Sequence, residues 1–293
     1  MAEAPLIGLL PDGRRLHLRQ GPIDLVIGAD GDPDQVRRAY RAAALRFDGL
    51  LARLCEELQI LRAPVGRGTP QPVGEVARRM HAAVAPLARD RFLTPMAAVA
   101  GSVADAILAA MVAAAPLRRA YVNNGGDIAL HLAEGESFRI GVIDRPESAR
   151  MVGFAGVRAE DGVGGVATSG YPGRSFSLGI AEAVTILAGS AAQADAAATV
   201  VANAVDLPGH PAVERLPANA LQPDSDLGDR PVTRSVGPLG EAEIDLALSR
   251  GLAQAQGLRS AGLIVAASLH LQGVTRVLPV PETPISLGRS VRA

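Results

Sequence analysis

Two adjacent amides, two adjacent glycines and a carboxylate stand between two apolar segments in the run YVNNGGDIAL, from Tyr121 to Leu130. Gly125 and Gly126 can adopt positive φ and let backbone N–H groups approach a ligand closely. Asn124 and Asp127 could then bond either a bound group or the turn itself. Because Asn-Gly is the strongest short hairpin signal, these residues alone favour an ordinary β-turn.

A second candidate is the loop ATSG, residues 167–170, which YPGRS follows. Thr168, Ser169 and Gly170 are small, and a loop of such residues suits phosphate or pyrophosphate binding through backbone amides. Arg174 could add a guanidinium fork to the same phosphate, although solvated surface arginines are more common. The sequence has no G-x-S-x-G elbow here, which argues against a serine hydrolase.

A third candidate lies in the alanine-rich segment AQADAAATVVANAV, in which Asp195 and Thr199 are four residues apart. That spacing puts both side chains on one face of a helix. A carboxylate and a hydroxyl there could bind Mg²⁺, with carbonyls, waters and a ligand phosphate completing the coordination. The alternative is structural, with Asp195 complementing the helix dipole and Thr199 bonding back to the preceding turn. Both interpretations stay open on these residues.

The composition excludes several classes of protein. The 293 residues include no lysine, which removes the phosphate-binding lysine of P-loop proteins, a Schiff-base lysine and the kinase strand lysine. The single cysteine, Cys55, excludes an internal disulfide and a cysteine metal cluster. The five histidines are dispersed and have no metal-ligand spacing.

Charge and targeting signals indicate the compartment and the kind of partner. A formal net charge of -1 gives no general electrostatic case for binding nucleic acid or an anionic membrane. No signal peptide is visible at the N-terminus, and Asp105 interrupts the apolar run 96–117, which we interpret as a buried core helix. We therefore expect a cytoplasmic protein. The TSG loop and the Asp195 helix indicate a small phosphorylated ligand as its partner, and the alanine-rich helices could pack closely in a homodimer.

The predicted strands outnumber the helices and occur in hairpins, so the predicted fold class is α+β with antiparallel sheet. We predict one domain, spanning residues 1–293, that positions the candidate residues. Strands are predicted within residues 6–28. A single ladder of strands is predicted for AYVN, DIALHLA, FRIGVID and MVGFAGV, a further strand for AVTILA, and a final hairpin for LIVAASLHLQGVTRVLP. Helices are predicted from Pro33 without interruption to Pro64, over 75–84, from Pro95 to about 115, from Ser190 to about 205, and over 241–256. The Pro-, Asp- and Gly-rich residues 208–240 read as a long surface excursion.

The order of these pieces resembles the ApbE-like family, whose best-known members are FAD:protein FMN transferases. The resemblance covers about residues 90–207, and the matching residues are Asn123, Gly125, Gly126 and Asp127; 141–146; 167–170; and Ala194, Asp195, Ala196 and Thr199. It implies an ApbE-like fold with a flavin nucleotide such as FAD between the glycine turn and the TSG loop. It also implies Mg²⁺ held by Asp195 and Thr199, with Asp195 and Asp127 in catalytic roles.

One segment departs from the family pattern. FMN transferases carry a serine-histidine pair leading to an Asp-Pro turn, whereas here the stretch reads RSFSLGIAEAVTILA. The chain resembles instead an uncharacterised ApbE-like branch that lacks this segment, and the departure argues against FMN transfer itself.

Three functions remain open at this stage. The first is a Mg²⁺-dependent enzyme, of transferase or hydrolase type, that acts on a flavin nucleotide or another phosphorylated ligand. The second is an enzyme on the same scaffold for a different anionic metabolite, which Arg145 or Arg174 would recognise. The third is a binding or assembly protein without chemistry.

Overall fold

The computed structural model describes residues 4–143, 151–173 and 175–280. The strands are β1 (Leu6–Leu9), β2 (Leu16–Gln20), β3 (Ile23–Asp30), β4 (Arg119–Asn124), β5 (Asp127–Leu132), β6 (Ser137–Ile143), β7 (Met151–Arg158), β8 (Gly165–Ser169), β9 (Ala183–Ala188), β10 (Val213–Pro217), β11 (Pro231–Val236), β12 (Ala266–Leu271) and β13 (Val274–Leu278). The helices are α1 (Pro33–Phe47), α2 (Leu50–Glu56), α3 (Leu58–Leu61), α4 (Glu75–Val84), α5 (Val99–Ala114), α6 (Ala191–Ala204), α7 (Ala218–Leu221) and α8 (Glu241–Ser260), with short 3₁₀ turns at Pro95–Ala98 and Ala159–Asp161.

The strands build one large antiparallel sheet in the order β1-β2-β3-β4-β5-β8-β9-β12-β13. Helices α5, α6 and α8 pack on one side of it, which we call the helix face. Side chains alternate between the two faces of a strand, so Leu25, Ile27 and Val122 point into this core and are fully buried. The predicted α+β class is confirmed.

The opposite side of the sheet, the second face, is covered by the hairpin of β6 and β7. These two strands pair only with each other among the described residues. Val157 of this hairpin packs with Leu130, Val166 and Leu187 of the main sheet in a smaller apolar cluster. The prediction of one continuous ladder through FRIGVID and MVGFAGV was therefore wrong, because this hairpin lies across the sheet instead of extending it.

The first helical region also differs from its prediction. The apolar spacing from Val36 to Leu61 predicts one long helix, but the structure has three, α1, α2 and α3. Gly49 has φ 66°, in the left-handed region, and separates α1 from α2. Periodicity did not show this break, since a single glycine can either continue a helix or end it.

Residues 208–240 are more ordered than a surface excursion. β10 and β11 form a two-stranded antiparallel sheet, and α7 follows β10 directly. Polar contacts tie the segment to the body of the protein: Arg62 binds Asp224 at 2.7 Å, and the hydroxyl of Thr94 donates to Asp226 at 2.5 Å. The high content of Pro and Gly favours turns and loops, so the sequence did not predict these short strands.

One segment, Pro95–Ala114, is long and apolar enough to cross a membrane by length and composition alone, with a mean hydropathy of 1.9. In this structure 56% of it is buried, and α5 packs against α1, α6, β4 and β5. These contacts agree with the prediction of a core helix. The predictions for α4, for the Ser190 start of α6 and for the final hairpin are also confirmed.

Candidate functional site

The glycine pair forms the two-residue turn of the β4–β5 hairpin. Gly125 has φ 67° and Gly126 has φ 115°, and Asn124 and Asp127 are the last paired residues of the two strands. The side-chain oxygen of Asn123 accepts a hydrogen bond from the N–H of Gly126 at 2.8 Å. A hairpin turn of this length with both residues at positive φ is built most readily from glycine, so the turn itself explains the sequence Asn-Gly-Gly.

Asn124 has a positioning role in this hairpin. Its side chain is buried, its Nδ2 donates to the carbonyl of Ala100 at 3.1 Å, and its Oδ1 accepts from the N–H of Asp24 at 3.5 Å. These bonds hold the end of β4 against the start of α5. The amide therefore fixes the hairpin relative to the helix layer.

Asp127 lies on the helix face of the sheet. It is two residues before Ala129, which is fully buried in the main core and is paired with Val122. Strand alternation places the Asp127 side chain on that same face, where α5 and α6 pack over β5.

Asp195 lies on α6, which packs over β5 on the helix face of the sheet. Its Oδ2 accepts a hydrogen bond of 2.9 Å from the N–H of Gly101, in the first turn of α5. This approach is possible because Gly101 has no Cβ, and a methyl group there would overlap the main chain of Ala191. Asp195 therefore satisfies one of the N-terminal N–H groups that a helix leaves without an internal partner.

A second aspartate makes the reciprocal contact. Asp105 of α5 is buried, and its two oxygens accept from the N–H groups of Ala191 and Ala192, each at 3.0 Å. Ser190 accepts from the N–H of Gln193 at 3.3 Å, so three N–H groups at the start of α6 have side-chain partners. Burial raises the pKa of Asp105, and the two N–H bonds oppose that increase. The start of each helix is thus capped by a carboxylate of the other.

The surroundings of Asp195 disfavour its ionised form. Burial raises the pKa of Asp195 well above its ordinary value, the nearby charge of Asp127 raises it further, and the N–H groups of Gly101 and Ala100 act in the opposite direction. A cation beside Asp195 and Asp127 would offset the unfavourable charge on the ionised Asp195 carboxylate. Strand alternation and the packing of α6 over β5 thus place Asp127 and Asp195 on the same face of the sheet, although they are distant in sequence.

The available donors suit a hard cation that keeps much of its own coordination shell. Thr199, one turn after Asp195 on α6, is partly buried. No group of three His, Cys, Asp or Glu side chains that could hold a metal occurs in the described residues. Mg²⁺ is usually held by only one or two carboxylates together with waters and substrate phosphates, so two carboxylates and one hydroxyl fit Mg²⁺ better than a cation that needs a full protein cage.

The TSG residues divide between the two faces of the sheet. The hydroxyl of Thr168 lies 2.9 Å from that of Thr185, and alternation from the buried Ala167 places both on the second face, away from Asp195. Ser169 pairs with Val184, which is fully buried in the main core, so its side chain lies on the helix face. Gly170 follows, and a Cβ at that position would overlap the carbonyl oxygen of Glu182.

Continuing the antiparallel register of β5 and β8 brings Ala167 alongside Asp127, because Ile128 pairs with Val166. The glycine turn and Ser169 therefore lie at the same end of the sheet. Arg174 and Arg145, the two arginines considered for anion recognition, lie outside the described residues, as does the Asp-Arg-Pro of the 141–146 motif.

Sequence reasoning missed Asp105 and a buried histidine. His270 lies with Nδ1 2.8 Å from the hydroxyl of Thr275 and Nε2 3.7 Å from Glu182, near the TSG end of β9. The signal for Asp105 was present in the sequence, as the one charge in an otherwise apolar helix. For His270 there was none, because its partners are set by strand pairing.

This chain is similar to known proteins over most of its length. A family model described as AbpE bacteria matches residues 7–277. A UPF0280 protein of Methanopyrus kandleri is 34% identical over 181 residues, covering 61% of this chain and 69% of that protein. A UPF0280 protein of Methanosarcina acetivorans is 34% identical over 205 residues, covering 68% and 75%.

Solved structures show a more distant similarity. The ApbE protein of Thermotoga maritima has a TM-score of 0.39 and 15% identity, covering 85% of this chain and 76% of that one. The apo form of the flavinyl transferase ApbE of Pseudomonas stutzeri also has a TM-score of 0.39 and 15% identity, covering 95% and 96%.

Proposed function

The chain belongs to the family described as AbpE bacteria, and we propose that it binds a phosphorylated ligand of the flavin-nucleotide class together with Mg²⁺. The proposed site lies on the helix face of the sheet. It is bounded by the β4–β5 turn, the end of β8 and the first half of α6.

The observation that carries this proposal is that Asp127 and Asp195 lie on the same face of the sheet, where α6 packs over β5. Each is partly buried, and the charge of Asp127 is close enough to raise the pKa of Asp195. Bringing two carboxylates together in partly desolvated surroundings costs stability unless a cation or a proton is shared between them. We infer that a cation bound beside the two carboxylates offsets this cost.

The residues have distinct roles in the proposed site. Asp127 and Asp195 supply negatively charged oxygens, and Thr199 supplies a neutral one from the next turn of α6. The N–H of Gly101 holds one oxygen of Asp195, which fixes the direction of the carboxylate. Mg²⁺ bound there would neutralise charge on the phosphate groups of the ligand, a task for which this chain has no lysine.

The segment without the serine-histidine pair has a structural role. Ser177 is buried and bonds to Asn203 at 3.2 Å, and the N–H of Leu178 donates to the same Asn203 oxygen at 2.9 Å. These contacts anchor the segment to the last turn of α6. We infer that it supports the ligand site and supplies no group for FMN transfer.

Calorimetric titration with FAD, FMN and ADP, each in the presence of Mg²⁺ and of EDTA, tests this function. We expect FAD to bind with a dissociation constant on the order of 1–10 μM in Mg²⁺, and at least about tenfold more weakly in EDTA, because the phosphate charge is then opposed by two carboxylates. Chromatography of the recovered ligand shows whether a phosphate bond has been broken.

The three ligands act as one another's controls. ADP binding as tightly as FAD would make the site specific for the diphosphate and not for the flavin. Binding of none of them, or binding equal in Mg²⁺ and EDTA, would contradict the proposal.

A further inference from the structure

A cavity of about 260 Å³ lies on the second face of the sheet, away from the Asp127–Asp195 site. Its wall is formed by the β1–β2 turn, the end of β3, the start of β4 and one residue of β6. The lining residues are Asp12, Arg14, Arg15, Gly28, Ala29, Asp30, Arg119, Tyr121 and Phe138.

The second face is assigned from packing. Tyr121 and Phe138 both pack against the smaller apolar cluster under the β6–β7 hairpin, whereas Asn124 and Asp127 belong to the helix face. The thickness of the sheet thus separates the two sites, and no residue lines both.

Two of the three arginines in the cavity already have carboxylate partners. Arg15 pairs with Asp12, and Arg119 donates from Nε to Asp30 at 2.9 Å. Arg14 has no side-chain partner among the described residues. Arg119 also lies 3.5 Å from Glu136, which is not among the lining residues. Within the lining itself, Arg14 is thus the guanidinium without a carboxylate partner.

The position of Arg14 is held through its main chain. Its N–H donates to Oδ1 of Asp12 at 2.9 Å, and its carbonyl accepts from the hydroxyl of Tyr40 at 2.7 Å. The turn that carries the uncompensated guanidinium is therefore tied both to itself and to α1. Such anchoring reduces the ordering cost that ligand binding would otherwise incur.

The cavity also has an aromatic wall. The rings of Tyr121 and Phe138 meet edge to face, with centroids 6.2 Å apart and an interplanar angle of 81°. Gly28 makes room for this arrangement, because a Cβ there would overlap the Tyr121 ring, its cross-strand neighbour. Aromatic residues are rare in this chain, which has three tyrosines, five phenylalanines and no tryptophan, yet two of them line this one cavity.

We propose that this cavity binds a small aromatic carboxylate, with the carboxylate on Arg14 and the ring against Tyr121 and Phe138. The guanidinium of Arg14, which has no carboxylate partner among the described residues, matches a monoanion, and its fork matches the planar carboxylate. The volume lies just below the roughly 300–1,000 Å³ of pockets for drug-sized ligands, so it suits a single ring and excludes a dinucleotide. The Tyr121–Phe138 pair provides flat apolar contact for that ring.

Benzoate is the probe for this site, observed by saturation-transfer NMR and calorimetry on the full chain. We expect a dissociation constant on the order of 1 mM, as befits so small a ligand, and binding at least about tenfold weaker for benzyl alcohol, acetate and inorganic phosphate. Arg14→Gln should weaken benzoate binding about tenfold, because it removes the charge-assisted bond.

Arg234→Gln is the matched control. Arg234 is an exposed strand arginine on β11, outside the cavity, and its replacement should leave benzoate binding unchanged. Asp195→Asn should also leave it unchanged, which separates this inference from the proposed nucleotide function. The proposal would be overturned if Arg14→Gln left benzoate binding as strong as in the wild type, or if benzyl alcohol or phosphate bound as well as benzoate. It would also be overturned if benzoate did not bind at about 10 mM.

Discussion

Replacing Asp195 by asparagine is expected to abolish the stabilisation of this protein by Mg²⁺ and nucleotide while leaving the fold intact. A ligand at about 100 times its dissociation constant stabilises the native state by about 2.7 kcal/mol, which raises Tm by about 4–5 °C for a chain of this length. In the variant the amide supplies no negative charge, so this rise should fall below about 1 °C. The measurement is thermal unfolding in EDTA, in Mg²⁺, and in Mg²⁺ with FAD.

The variant should stay folded because the asparagine oxygen can still accept the hydrogen bond from Gly101. The folded-state pKa of Asp195 lies above its unfolded value, so its ionisation costs the native state stability. In EDTA the wild type should therefore lose stability as pH rises from about 4 through the folded-state pKa, and the variant should lack that loss.

Thr168→Val provides the comparison for this effect. Thr168 lies in the same motif region, but its hydroxyl bonds to Thr185 on the second face. It should retain the full response to Mg²⁺ and FAD. A response that Asp195→Asn keeps, or that Thr168→Val loses to the same extent, would place the cation elsewhere.

Adding a single methyl group at Gly101 is expected to destabilise the protein by about 3 kcal/mol. The Cβ of Gly101→Ala would overlap the carbonyl oxygen of Ala191, which is backbone and cannot rotate away. Helices α5 and α6 would have to separate, which strains the bonds that Asp195 and Asp105 make between them. Thermal unfolding should show Tm lower by about 5 °C.

Gly257→Ala is the same substitution without the obstruction. Gly257 is exposed on α8, and nothing lies within 4 Å of the position that its Cβ would take. Alanine is the better helix former by about 0.5–1 kcal/mol, so this variant should be slightly more stable than wild type. Stabilisation at both glycines would mean that helix propensity, and not the close α5–α6 approach, decides the outcome.

Local sequence signals were sufficient for much of the fold. Asn124-Gly125-Gly126 predicted a hairpin turn, and Ser190 predicted the start of α6, because turn and cap chemistry depends on neighbours in sequence. The order of motifs also indicated the ApbE-like family, which the match over residues 7–277 confirms. Both kinds of signal are carried by residues close together in the chain.

Features that depend on tertiary contacts were not accessible in this way. Periodicity did not show that Gly49 ends α1, and strand patterns did not reveal that β6 and β7 cross the second face. For Asp195 the sequence left a structural cap and a metal ligand as alternatives. The structure shows that Asp195 accepts the N–H of Gly101 from another helix and lies on the same face of the sheet as Asp127, so the two roles are compatible.

The most direct measurement is the number of divalent cations bound per chain, with Mn²⁺ in place of Mg²⁺ and the free ion followed by electron paramagnetic resonance. Mn²⁺ prefers the same oxygen donors as Mg²⁺. With FAD present, the wild type should bind one Mn²⁺ beyond those that FAD binds alone, Mg²⁺ should displace it, and Asp195→Asn and Asp127→Asn should each lose it. No protein-dependent Mn²⁺ binding in the wild type, or a bound ion that both variants retain, would contradict a cation site between the β4–β5 turn and α6.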